Sequence, residues 1–246
     1  MKALEKPLNY IIILLAIAWV IGFWHRNNFA YPMPLNAQLL SEPIQEKSQL
    51  APFIMSKDDM RYLLQPLYRY ELYGLVVSYQ KHNTHAFSRK SWNDHINVAD
   101  VCVVWGDNAS KLDLNLFKFW NGEFTCNIET TNNTAFKKFH SNELSNNHLL
   151  TDNEELRTKI NNLRVGDQIY LRGYLTNYQN TITGSTRKTS TTRNDNGNGA
   201  CETVLVEEIT HLSSMHTPWR TLSFFCGWGF LLLGSFWCYA VAKGIF

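Results

Sequence analysis

The sequence lacks the short motifs that mark common enzyme and metal sites. It has no G-x-S-x-G nucleophile elbow, no P-loop and no G-x-G-x-x-G dinucleotide loop. Its five cysteines include no CxxC pair, so structural zinc is not predicted. A catalytic triad can still assemble from distant residues. These absences nevertheless predict a protein with no catalytic residue, no metal and no cofactor.

Charge is also scarce. Only 18% of the 246 residues are charged, and the net charge is +2. Proteins that bind nucleic acids normally concentrate lysine and arginine on one face. A general surface for polyanions is therefore not expected, and any charged partner must be recognised locally.

Long apolar runs stand near both ends of the chain, over residues 8–24 and 222–242. A helix needs about 17 or more apolar residues to cross the hydrocarbon core, and neither run contains a charge. A cleaved signal peptide is the alternative for the first run, but no A-x-A cleavage site follows it. We predict two transmembrane helices, with the lipid bilayer as a partner.

Basic residues beside the runs predict the orientation. Lys2, Lys6 and Lys243 lie on the terminal side, against Arg26 and Arg220 on the side of the intervening domain. This excess of one positive charge favours both termini in the cytoplasm and an extracytoplasmic domain. In a Gram-negative bacterium that domain would be periplasmic, anchored in the inner membrane.

Small residues recur on one side of each apolar run, where they permit close contact between helix backbones. They are either helix-packing positions or glycines that a membrane helix merely tolerates. The candidates for helix packing are Ala18, Gly22, Ser223, Gly227, Gly234 and Cys238.

The segment over residues 25–69 is predicted to be a tether followed by a short helix. Pro32, Pro34 and Pro43 interrupt its polar first part. Ser56 followed by Asp59 indicates a capped helix that a later proline ends. The main domain is then expected over residues 70–212, with a linker over 213–221.

Strand patterns fill most of that domain. Apolar, β-branched and aromatic residues predict strands over residues 71–79, 99–105, 168–178 and 202–209. Asn121-Gly122 between aromatic flanks predicts a hairpin with a two-residue turn within residues 117–129. Leu156, Ile160 and Leu163 recur at helical spacing and predict one amphipathic helix.

This order of elements resembles the OB-fold, a five-stranded Greek-key barrel with one helix before its fourth strand. The segment VGDQIYLRGYL, residues 165–175, resembles the fourth strand of bacterial OB domains. The resemblance implies a mainly β fold with one central helix, an OB-like barrel flanked by two transmembrane helices. A β-sandwich is the alternative, which a helix among the strands disfavours.

The resemblance also implies a binding face between the loops over residues 80–98 and 177–200. Aromatic and basic residues there suit a sugar, phosphate or peptide, because rings stack and guanidinium groups grip anions. The alternative is a pair of polar loops without a ligand. The candidate residues are His82, His85, Arg89, Lys90, Trp92, His95, Arg187, Lys188 and Arg193, with Tyr170, Arg172, Tyr174 and Tyr178 along the fourth strand.

The same resemblance bears on the cysteines of the domain. In an OB barrel the third strand lies beside the fifth, which implies a disulfide between Cys126 and Cys201. Cys102 lies in an apolar strand and is expected to be a thiol in the core.

The functional hypothesis follows mainly from elimination. The chain is predicted to be a non-catalytic envelope protein, whose anchored domain binds a ligand or protein partners as an accessory or assembly subunit of a membrane complex. A membrane-bound enzyme acting on an envelope glycan or lipid-linked group is the first alternative. A membrane-tethered nucleic-acid-binding module is the second, although no clear nucleic-acid surface is present.

Overall fold

A computed structural model describes residues 2–82, 94–122, 125–192 and 201–245. Five α-helices and ten strands lie within these ranges. The helices are α1 (Lys2–Trp24), α2 (Gly106–Ser110), α3 (Asn133–Lys138), α4 (Glu154–Asn161) and α5 (Pro218–Ala242). The strands are β1 (Ile44–Lys47), β2 (Phe53–Lys57), β3 (Met60–Lys81), β4 (Asn97–Val104), β5 (Lys118–Asn121), β6 (Cys126–Glu129), β7 (Leu144–Leu150), β8 (Asp167–Asn180), β9 (Thr186–Arg187) and β10 (Cys201–Ser214).

The chain divides into a helical unit and a β unit. The helical unit comprises Met1–Ala30 and Met215–Phe246, and the β unit comprises Tyr31–Ser214. In the helical unit, α1 and α5 are long and apolar enough to span a membrane. Their large apolar side chains, such as Leu14 and Phe225, are mostly exposed, unlike those of a core helix in a soluble protein. Two apolar helices at the two ends are therefore confirmed.

Glycines let α1 and α5 approach each other closely. A Cβ atom added to Gly22 would lie 2.8 Å from the backbone nitrogen of Ser223. A Cβ atom on Gly227 would lie 3.0 Å from the ring of Trp19. These positions lie in the contact between the helices, where only a hydrogen fits.

Three other candidate packing residues, Ala18, Gly234 and Cys238, have less crowded surroundings. Within the described part of the chain, nothing lies within 4 Å of a Cβ atom added to Gly234. Cys238 is exposed, and Ala18 is half-buried. Gly229, which the sequence pattern did not single out, faces Leu15 at 3.3 Å.

Leucine at position 22 is expected to separate α1 from α5, because its side chain would displace the backbone of Ser223. Gly234→Leu is the matched control, since its side chain would enter open space. A thiol cross-linker between cysteines placed at Leu15 and Gly229, with Cys226 and Cys238 replaced by serine, measures the pairing. We expect Gly22→Leu to abolish cross-linking in detergent and Gly234→Leu to preserve it. Equal yields in the two variants would contradict the helix contact.

The β unit is built on a large mixed sheet of eight strands. From β3 the pairing runs antiparallel to β4 and β7, parallel to β10, antiparallel to β8 and antiparallel back to β3. The path therefore returns to the strand on which it began. The short strands β1 and β2 pair with β3, and β9 pairs with β8.

The long strand β3 pairs with two neighbouring strands, one after the other along its length. It pairs with β8 from Tyr62 to Leu75 and with β4 from Leu75 to Lys81. The register with β8 shifts between Pro66 and Tyr68. Proline cannot donate to a ladder, so such an irregularity is expected beside it. Because β3 is long, it pairs with both β4 and β8.

Alternation along β4 separates the core from the opposite face of the sheet. Ala99, Val101 and Val103 belong to the main apolar core. Asp100 and Cys102 stand between them and point to the other side, because successive side chains of a strand face opposite ways. We call this side of the sheet, which carries Asp100 and Cys102, the outer face.

The short helix predicted from Ser56 and Asp59 is wrong. Residues 53–64 form the β2–β3 hairpin, which turns at Asp58 with a φ of 50°. Aspartate tolerates this left-handed conformation better than most residues. The pairing buries Tyr62 and Leu64 completely, and this burial outweighs the local helix signal.

The expectation of one central helix is not supported. The helix predicted from Leu156 and Ile160 is α4, but α2 and α3 also lie between strands of the described chain. A hairpin forms at β5 and β6 as a separate two-stranded sheet. Asn121 pairs with Cys126, so its connection is wider than the predicted Asn-Gly turn.

Residues assigned to a tether instead pack within the β unit from Tyr31 onward. Leu39 is completely buried. The backbone N–H of Asn36 donates to Gln168 Oε1 at 2.7 Å. Together with the pairing of β1 and β3, these contacts extend the compact domain well before residue 70.

Candidate functional site

A buried polar cluster lies on the outer face of β4 and β7. Asp100 Oδ1 lies 2.6 Å from His82 Nε2 and is also hydrogen-bonded to His148 Nδ1. His82, Asp100 and His148 are 8%, 2% and 0% exposed. Their donor atoms all lie within 4.8 Å of one another, close enough to hold one metal ion.

The strand ladders explain why these three side chains meet. Asp100 and His148 are directly paired across β4 and β7. Side chains of paired residues lie on the same face of a sheet. His82 follows β3, and its N–H donates to the carbonyl of Val98 at 2.9 Å. This bond places the imidazole of His82 beside the carboxylate of Asp100.

The ionisation of the cluster follows from its burial. Burial lowers the pKa of His148, although its hydrogen bond to Asp100 opposes the shift. Neutral His148 can still present an N–H to the carboxylate. His82 does so through Nε2, and its Nδ1 is buried with no hydrogen-bond partner in the described chain. One carboxylate therefore serves two imidazoles.

A second hydrogen-bonded pair lies near this cluster and consists of the buried Tyr178 and the half-buried Asp94. The hydroxyl of Tyr178 donates to Asp94 Oδ2 at 2.5 Å. Burial and the nearby Asp94 carboxylate raise the pKa of Tyr178 well above its usual value, so the phenol remains a donor. Arg187 pairs with Tyr178 in the β8–β9 ladder, and its positive charge reaches both Tyr178 and His148.

Cysteines and an asparagine continue the outer face along the sheet. Cys102, Asn146 and Cys201 are side by side on β4, β7 and β10. Asn146 Nδ2 donates to Cys201 Sγ at 3.5 Å. Asn121 Nδ2, from the β5–β6 hairpin, donates to Cys102 Sγ at 3.2 Å.

The predicted Cys126–Cys201 disulfide is wrong, because Cys126 is bonded to Cys102. The prediction placed the β5–β6 hairpin beside the last strand. In the structure β7 occupies that position, and the hairpin lies over β3 and β4 instead. Cys102 is therefore a disulfide partner on the outer face and not a thiol of the core.

Cys201 is poorly suited to nucleophilic chemistry. Burial raises the pKa of its thiol to about 11, against a smaller opposite effect of the hydrogen bond from Asn146. The thiolate is the reactive form of cysteine. Since the thiol stays protonated at neutral pH, Cys201 is a structural residue.

Several predicted residues converge on the cluster and others do not. His82 belongs to the cluster, and Arg187, whose charge reaches His148, pairs with Tyr178. His95 instead pairs with Asp58 at 2.8 Å. The ring of Tyr170 contacts that of Tyr73 at a tilt of 33°, with centroids 4.7 Å apart.

The remaining predicted residues have separate surroundings. Arg172 forms an ion pair with Glu208 at 3.0 Å. Tyr174 packs beside a second apolar cluster that includes Tyr178, and Lys188 is exposed. His85, Arg89, Lys90, Trp92 and Arg193 lie outside the described residues.

Sequence reasoning missed Asp100, His148 and Asp94 as members of the site. Asp100 did carry a signal, since a lone acid within the apolar run NVADVCVVW is costly to bury without a partner. His148 carried none, because the polar segment Ser145-Asn146-Asn147 before it does not resemble a strand.

The chain was also compared with known proteins. No family model, curated protein or solved structure matches it. Its fold and its chemistry therefore rest on the contacts of its own residues, above all on the buried cluster of the outer face.

Proposed function

We propose that this chain is a membrane-anchored, non-catalytic protein of the bacterial envelope. Its β domain is an OB-like barrel that binds a ligand or protein partner on the outer face. It acts beside the membrane as an accessory or assembly subunit of a larger complex.

The order of strand pairing supports the OB-like barrel. Taken along the chain, the strands of the closed path are β3, β4, β7, β8 and β10. The third and fifth are parallel neighbours, and the fourth lies between the fifth and the first. Helix α4 precedes the fourth strand. This order of pairing supports the proposal of a five-stranded Greek-key barrel, in which closure would remove exposed strand edges.

The buried cluster is the main observation that supports a binding site on the outer face. OB barrels bind ligands on the face of the second and third strands, beside the first-to-second and fourth-to-fifth loops. Asp100 and His148 occupy the second and third strands of the path, and Arg187 follows the fourth. Burying a carboxylate is costly unless polar groups compensate it. Convergent polar groups in such a place favour a binding site.

The disulfide supports an extracytoplasmic position for the domain. Disulfides persist in the periplasm and outside cells and are rare in the cytosol. Cys102 and Cys126 would therefore lie on the oxidising side of the membrane. This agrees with the orientation that the basic residues favour, with both termini in the cytoplasm.

A serine, histidine and aspartate also meet at the end of β10, but their geometry supports no catalysis. His211 Nε2 lies 2.8 Å from Ser214 Oγ and 3.5 Å from Asp167 Oδ1. Ser214 also donates directly to Asp167. In a catalytic triad the two imidazole nitrogens face different partners. Here one nitrogen faces both, so the ring cannot transfer a proton between them.

Photo-cross-linking in native membranes tests the proposed binding face. A photo-reactive residue replaces Lys188, which is exposed and follows Arg187, or Lys137 on α3 as the matched exposed control. We expect one discrete adduct from position 188 and none above background from position 137. Its identity is read by mass spectrometry, and protease treatment of spheroplasts checks the orientation. No adduct at position 188 in correctly inserted protein, or equal adducts at both positions, would contradict the proposal.

A further inference from the structure

The donor atoms of the buried cluster form a suitable set for a transition-metal ion. His82 and His148 each direct one imidazole nitrogen toward Asp100 Oδ1. Two imidazoles and one carboxylate are ligands found in zinc and non-haem iron proteins. Calcium and magnesium instead prefer oxygen ligands alone. The cluster therefore favours a first-row transition metal.

Burial of these residues also favours an ion over a simple structural hydrogen bond. The carboxylate of Asp100 is buried between the two imidazoles. Buried charges in proteins are usually paired or coordinate a metal ion.

From these observations we infer that His82, Asp100 and His148 together bind one divalent first-row transition-metal ion. This inference rests on the proposed function in taking the outer face as the binding site, and it names the ligand class. Three protein ligands leave one position of a tetrahedral ion for water or a further donor.

The ion requires only small movements of the side chains. Zinc lies about 2.0–2.2 Å from nitrogen and oxygen ligands. At a tetrahedral angle its ligand atoms are then roughly 3.3 Å apart. His82 Nε2 and Asp100 Oδ1 are 2.6 Å apart, so the imidazole must withdraw by less than about 1 Å. Rotation of the side chains can supply that displacement while β4 and β7 stay paired.

Calorimetric titration of the full chain in detergent, stripped with a chelator and then given zinc, tests this site. We expect one zinc ion per chain. His82→Gln and Asp100→Asn should each weaken binding at least about 100-fold, because each removes one of three ligands. His140→Gln is the matched control, since His140 pairs with Glu143 but is largely exposed. It should leave the zinc affinity unchanged.

Thermal unfolding separates loss of the metal from loss of the fold. Zinc should raise the melting temperature of the wild-type chain and of His140→Gln, but not of the two ligand variants. His82 lies at the end of a strand, so His82→Gln should retain the wild-type circular dichroism without metal. Absence of zinc binding by the wild type, or unchanged binding in a folded His82→Gln chain, would overturn the inference.

The zinc titration and the cross-linking experiment can each fail without the other. Failure of zinc to bind while position 188 still cross-links a partner removes only the metal site. Zinc binding without any adduct at position 188 removes only the protein-partner part of the proposed function.

Discussion

Valine in place of Gly173 is expected to unfold the β domain. Gly173 lies within β8, paired with Tyr70 on β3 and with Val206 on β10. A Cβ atom there would lie 2.0 Å from the backbone carbonyl oxygen of Leu205. Overpacking costs about 1–3 kcal/mol where side chains can adjust. Here the obstacle is the backbone of a paired strand, so we expect a loss of about 3 kcal/mol or more.

Urea unfolding of the full chain in detergent, followed by circular dichroism, measures this loss. Arg172→Ala, one residue away, is the control, because it removes partly exposed ion pairs to Glu207 and Glu208. Such pairs contribute about 0–1 kcal/mol. Equal stability of the Gly173→Val and wild-type chains would show that β8 does not lie this close to β10.

Serine in place of Cys126 is expected to lower the free energy of unfolding by about 3 kcal/mol. The disulfide to Cys102 joins residues separated by 24 positions. Closing such a loop restricts the unfolded chain, and this entropy is the main source of the stabilisation. The Cys126→Ser change also removes the covalent link between the β5–β6 hairpin and β4, and leaves the hydrogen bonds of Asn121 to β4.

Reduction provides an internal test of the disulfide. A reductant should lower the stability of the wild-type chain to that of Cys126→Ser and should leave the variant itself unchanged. Cys238→Ser, at an exposed position of α5, should unfold like the wild type and respond equally to the reductant. Alkylation of Cys102 in the folded, non-reduced wild-type chain would contradict the disulfide.

The two terminal helices could be predicted because their signal is local. An uninterrupted apolar run over residues 222–242 has few structural solutions, since backbone polar groups in lipid must be paired within the segment. The main strands over residues 71–79 and 202–209 were likewise apparent, because β-branched and aromatic residues are enriched in strands. Both predictions depend on residues that are neighbours in the sequence.

Long-range pairing explains the predictions that were wrong. The segment at Ser56 and Asp59 carries a helix-capping signal, yet it forms a hairpin because Tyr62 and Leu64 are buried there. The polar strand β7 has little strand propensity of its own and is held by the ladders to β4 and β10. Missing β7 led to the wrong neighbour for the last strand, and hence to the wrong partner for Cys126.

Long-range pairing also explains why only part of the candidate site could be predicted. His82, Tyr178 and Arg187 belong to the two segments, residues 80–98 and 177–200, that the resemblance to the OB-fold predicted to form a binding face. Asp100 and His148 are 48 positions apart, and only the register of β4 with β7 brings them together. A single sequence contains no local pattern that specifies this register.

The two apolar helices, the mainly β character between them and the absence of common catalytic motifs follow from the amino-acid sequence alone. Each depends on composition or on periodicity over a few residues. In contrast, the meeting of a carboxylate with two imidazoles on the outer face and the bond between Cys102 and Cys126 depend on long-range folding. Those contacts join distant residues, and they form because closing the strand path buries the apolar core and so fixes which outer side chains face one another.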